Sequence, residues 1–149
     1  MENKNVSSEK ESFHRDAEAR VATFRYDKPS PNGKPKDVLT MVRSGLLKVL
    51  VQIVREGGEN NLHYHTRSET AWLVLRGKAK FYGVGDALLA ELGPQEGIFL
   101  PGGARYWFEK VGTEDLEILQ MVGLERGGAK RINVDAHKDW MTDSHLQVY

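Results

Sequence analysis

The chain of 149 residues contains no cysteine, carries no net charge and has no long apolar run. Without cysteine there are no disulfides, no thiolate nucleophile and no Cys-based zinc or iron–sulfur site. The charge balance, 21 Lys+Arg against 21 Asp+Glu, lacks the basic excess of nucleic-acid and membrane-surface proteins, so neither partner is expected. The longest apolar stretch, Ala71–Leu75, is far too short to cross a bilayer. Nothing in MENKNVSSEKES resembles a secretory signal, and the expected location is the cytoplasm. What is present, 40% hydrophobic and 28% charged residues, is the make-up of one globular domain with its own core.

Three segments differ in texture. Residues 1–12 are polar and expected to be loose. The S-x-x-E spacing of Ser8 and Glu11, followed by Phe13, Ala17 and Val21, predicts a short helix over about residues 9–21. Three prolines and a glycine in DKPSPNGKPKD, residues 27–37, make a surface loop. Residues 1–37 therefore form an N-terminal arm and Pro-rich loop.

From residue 38 to 123, short apolar runs alternate with Gly- and Pro-rich breaks. The runs are Val38–Val42, Leu47–Val54, Thr70–Leu75, Ala79–Tyr82, Ala87–Leu92, Ile98–Leu100, Tyr106–Val111 and Leu116–Val122. Eight such strands without an intervening helical period predict an all-β sandwich or barrel. Residues 124–149 form a C-terminal extension packed on the barrel. It holds one further strand near Arg131–Val134 and a helical turn capped by Asp135.

The chemistry concentrates at His63 and His65. On a strand, residues two apart point to one face, so the imidazoles project side by side. Glu69, four residues on, can bring a carboxylate alongside. Two imidazoles and a carboxylate suit non-haem Fe(II), and equally Mn, Ni, Cu or Zn. The competing reading is a strand edge with two solvated histidines.

The segment Gly57-x5-His63-x-His65-x3-Glu69, closing at Gly77, resembles the first motif of the cupin superfamily. Pro101-Gly102-Gly103-Ala104-Arg105-Tyr106 resembles the second. The resemblance implies a small jelly-roll β-barrel with a metal site inside. Three positions depart from the pattern. Seven residues rather than six separate Glu69 from Gly77; the longer spacing puts the acid's place on Thr70, and a bulge near residues 69 to 71 would reconcile the two. Tyr106 stands where the second motif has its histidine ligand. Gln95 replaces a turn glycine, with Gly97 close by.

The resemblance thus implies one divalent metal ion on His63, His65 and Glu69, with Tyr106 as a hydrogen-bonding or acid–base group. It also implies a small polar ligand, a homodimer, and a dioxygenase-type or related metal-dependent enzyme such as an isomerase or lyase. The alternative is a non-catalytic sensor or carrier with a degenerate metal site. Arg67 and Arg105 flank the site and can pair with a substrate carboxylate, although loop arginines are more often solvated. Trp72 reads as wall or core. His14, His137 and His145 lie in the terminal segments, where His137 could replace the missing ligand if the tail folds back.

Overall fold

A computed structural model describes residues 2–126 and 130–134. Helix α1 (Glu2–Glu18) is followed by ten strands: β1 (Lys36–Arg43), β2 (Leu47–Val54), β3 (Gly58–Thr66), β4 (Ser68–Arg76), β5 (Lys78–Tyr82), β6 (Leu88–Leu92), β7 (Gly97–Leu100), β8 (Tyr106–Val111), β9 (Leu116–Leu124) and β10 (Lys130–Asn133). They form two antiparallel five-stranded sheets. One has the order β1-β2-β9-β4-β7, the other β10-β3-β8-β5-β6. All eight apolar runs are strands. The segment carrying the histidine pair, β3, is a ninth.

Residues 2–12 are helical, not loose, and the helix ends at Glu18 instead of reaching Val21. Glu, Lys and Arg are strong helix formers and need no apolar stripe to adopt the conformation. The apolar spacing over residues 13–21 therefore marks the wrong span. Phe13 and Val21 are exposed. The Pro-rich segment after the helix is strapped to the first sheet by Tyr26 to Glu117 (2.5 Å) and Lys28 to Asp115 (2.9 Å). The expected tail strand pairs with β3, placing Arg131 opposite His65 and Asn133 opposite His63. The turn at Asp135, with His137 and His145, lies outside the described residues. Among the described residues no helix is long and apolar enough to cross a membrane.

The barrel interior comes from alternate residues of both sheets. Val54, Trp72, Val74, Phe81, Phe108, Leu116 and Ile118 form an apolar cluster. On the outer side of the second sheet Leu62 and Trp107 make a smaller one with Tyr82. Sheet closure is tight at Gly58, where any Cβ would stand 2.1 Å from the Phe108 carbonyl oxygen. Only glycine lets β3 and β8 approach this closely.

Candidate functional site

Two local devices set the site. The first is an irregularity in β3: Glu59 pairs with Phe108 and His63 with Tyr106, a shift of register between the two pairs. With three residues, 60–62, opposite Trp107 alone, this bulge turns Leu62 to the outer cluster and keeps Glu59 and His63 buried together. The second is the corner between β3 and β4. Arg67 has φ +56°, a left-handed conformation that turns the chain from one sheet into the other. His65 and Ser68, three residues apart, are both buried there.

That corner decides the acid. In an unbroken strand Glu69 shares a face with His63 and His65. The extra residue at Arg67 shifts the phase by one. Thr70 is consequently buried at 3% exposure, and Glu69 is exposed. It lines a surface cleft with Arg67, Pro101 and Glu125. The expected set His63, His65 and Glu69 is thus not brought together. Arg67 lies 3.7 Å from Glu125 on the surface, and Arg105 is exposed as well.

The carboxylate beside the histidines is Glu59, which the motif pattern does not single out. Its Oε2 lies 3.0 Å from His63 Nε2, with both side chains fully buried. The two atoms are close but off the ideal hydrogen-bonding axis. On the other side of the ring, His63 Nδ1 stands 2.8 Å from the Asn61 carbonyl oxygen. A carbonyl only accepts, so Nδ1 carries a proton and donates it. Arg131 donates to Asn61 Oδ1 at 2.9 Å and so steadies this loop of β3.

The electrostatics separate the groups. Burial alone would raise the Glu59 carboxyl. Hydrogen bonding to His63 and its charge, backed by Lys36 and Arg131, outweigh burial and hold the acid well below the usual carboxylate range. His65 moves oppositely to an exposed imidazole near a carboxylate. Burial pulls it down to about 4, against the opposing charge of Glu59 and with help from His63, Arg131 and Lys48. Burial likewise lowers Lys36 to about 8. At neutral pH the interior therefore holds an ionised Glu59 and a neutral His65.

Tyr106 faces inward, 1% exposed. Its ring centroid is 4.4 Å from that of His63 and 6.3 Å from that of His65. The Pro101–Gly103 turn fixes its entry: Gly103 has φ +85° and donates its N–H to the His65 carbonyl at 3.0 Å. This bond ties the two sequence motifs together. Trp107, the alternate residue, is turned to the outer cluster and donates from Nε1 to Asp86. Gln52 Nε2 completes the polar network, donating to Glu59 Oε1 at 3.3 Å and to Gln120 Oε1 at 3.1 Å.

A divalent ion would draw on His63 and His65. Among the described residues, however, no three His, Asp or Glu side chains form a group able to hold one. His63 Nδ1 is taken up by the Asn61 carbonyl, and Nε2 faces the Glu59 carboxylate. The arrangement does not fit the expected three-ligand set of His63, His65 and Glu69. What it offers is a buried carboxylate–imidazole contact beside a phenol and a neutral imidazole.

The Cupin domain family model matches residues 50–122. No curated protein matches the sequence significantly. Among solved structures, an uncharacterized conserved protein with a double-stranded beta-helix domain from Klebsiella pneumoniae superposes with a TM-score of 0.63 at 20% identity, covering 80% of this chain and 95% of that one. KdgF from Halomonas sp. gives a TM-score of 0.57 at 13% identity, covering 71% and 96%. Streptomyces PAC13 with uridine gives 0.55 at 16% identity, covering 78% and 95%; Pac13 is described as a nucleoside dehydratase. At these identities the structural likeness speaks for the fold. With the family match over the strands that carry the histidine pair, the P-x-G turn and the interior between them, residues 50–122 of this chain are a cupin domain.

Proposed function

We propose that the protein binds a small polar molecule inside the barrel and moves a proton on it, in the manner of an isomerase, epimerase or lyase. The observation that carries this reading is the fully buried contact of Glu59 with His63, 3.0 Å long, under the Tyr106 ring. Glu59 lies against the His63 ring, and His65, neutral at pH 7, supplies a second imidazole that can take a proton up. Tyr106 offers a hydroxyl that donates to the bound molecule. Environments that push neighbouring titratable groups in different directions divide acid and base roles between them. This replaces the dioxygenase-type expectation, whose carboxylate ligand stands on the outer surface.

The test is deuterium incorporation from D2O into the carbon next to the carbonyl of small keto and aldehyde compounds. Exchange is expected with the native chain and lost with His63→Gln. Tyr106→Phe is expected to keep the fold and slow the exchange. Binding without any exchange would replace the enzyme by the carrier or sensor reading. One tightly held divalent ion per chain in elemental analysis would restore the metal-dependent one.

We also propose that the chain forms a homodimer through the first sheet. Its edge strand β7 leaves Phe99 59% exposed, and exposed edges are usually covered or paired. A monomer mass by light scattering at micromolar concentration would overturn this.

A further inference from the structure

The wall facing the His63–Tyr106 pair holds polar groups that the proton-transfer reading does not use. Gln52 on β2 and Gln120 on β9 are fully buried. Trp72 on β4 is paired directly with Gln120 across the strands, and its ring centroid is 6.5 Å from that of Tyr106. Gln52 Nε2 donates to Glu59 Oε1 and to Gln120 Oε1. Both partners are acceptors, which fixes the amide's orientation and turns its oxygen away from them. Gln52 Oε1 has no hydrogen-bond partner there, and Trp72 Nε1, also buried, has none. One wall therefore presents a buried acceptor and a buried donor that the described residues leave unsatisfied.

Buried polar groups are almost always hydrogen-bonded, and each exception calls for a reason. A hydroxyl both donates and accepts. One hydroxyl can give its proton to Gln52 Oε1 and another accept from Trp72 Nε1. An apolar or purely accepting ligand leaves Gln52 Oε1 unpaired. We infer that this wall selects a hydroxylated small molecule, such as a polyol, a sugar or a hydroxy acid, with Gln52 and Trp72 as its specificity-determining residues. This inference rests on the reading that the ligand enters the barrel, and names its class. A site built to bond a hydroxyl rejects the analogue lacking it by roughly 10⁴-fold or more.

The test uses the full-length 15N-labelled protein and the Trp72 indole N–H signal, assigned by its absence in Trp72→Phe. D-ribose and D-gluconate are titrated against tetrahydrofuran and hexanoate, ring and chain counterparts without hydroxyls. At least one hydroxylated probe is expected to move the Trp72 signal saturably while its counterpart does not. Gln52→Met is expected to weaken that probe at least tenfold; should this variant not fold, the native titration alone decides. No shift with either hydroxylated probe, or equal shifts with the counterparts, would overturn the inference. The imidazole signals of His63 and His65 are followed in the same samples. A probe that moves them but not Trp72 overturns this inference and leaves the proton-transfer reading standing. A probe that moves Trp72 but neither imidazole supports the inference and counts against that reading.

Discussion

At one end of the barrel interior Phe81 and Phe108 stack with ring centroids 4.9 Å apart, and Trp72 meets Phe108 at 5.0 Å. Two positions along the same strand β8, Tyr106 meets His63 instead, and a carboxylate, two glutamines and a second histidine fill the space around them. Both halves are buried to the same degree. The aromatic half needs only volume and shape, since its groups carry no charge and few hydrogen-bonding atoms. In the polar half each group depends on a particular partner, because a buried charge is costly unless paired. Stability and reactivity are thus divided between two layers built from the same strands.

The comparison breaks most visibly by truncating the aromatic half. Phe108→Ala removes a fully buried ring and is expected to cost about 3–5 kcal/mol in urea unfolding, through lost burial plus the cavity left behind. The polar half responds to charge rather than volume. Glu59→Gln keeps the size of the side chain, removes the buried negative charge that Lys36 and Arg131 face, and is expected to cost about 3 kcal/mol. Replacing Glu59 and His63 together by apolar residues should recover most of that loss, whereas no second change in the aromatic half compensates Phe108→Ala.

Acid distinguishes the two halves further. The folded value of His65 is depressed to about 4, against about 6.5 in the unfolded chain. Between those values the unfolded state binds the extra proton, so stability falls as pH drops from about 6.5 to 4, by about 3 kcal/mol at most. Glu59, also lowered, is present as a stabilising carboxylate above its unfolded value near 4.3. Its contribution is lost only as pH falls further. Urea midpoints at pH 7, 5 and 4 read this directly, and the first part of the loss should vanish in His65→Gln. The smallest effect is expected at Glu69, outside both halves. Glu69→Ala should stay within about 0.5 kcal/mol of the native chain and leave deuterium exchange unchanged. A large effect on exchange would return Glu69 to the site.

Much of this was legible before the structure. Period-2 alternation and Gly/Pro punctuation mark eight strands, and the spacing of His63 and His65 puts them on one face. The P-x-G turn before Tyr106 aims its ring inward, since Gly103 fixes where β8 begins. The helix boundaries were hidden because α1 packs no regular apolar stripe. Glu59 was hidden by its neighbours: Gly57 and Gly58 read as turn material, although Glu59 already has the same parity as both histidines. Gln52 and Trp72 looked like members of apolar runs, and sequence carries no signal that their polar atoms lack partners.

The sequence by itself determined the barrel, the paired imidazoles and the inward phenol, because alternation and turn chemistry are local properties of the chain. Only the tertiary structure decided which carboxylate joins them. That choice hangs on one left-handed residue, Arg67, at the corner between two sheets, and on a bulge in β3 that exists only against β8. A single residue of phase sends a side chain to one face or the other. Glu69 therefore faces outward and Glu59 lies against His63.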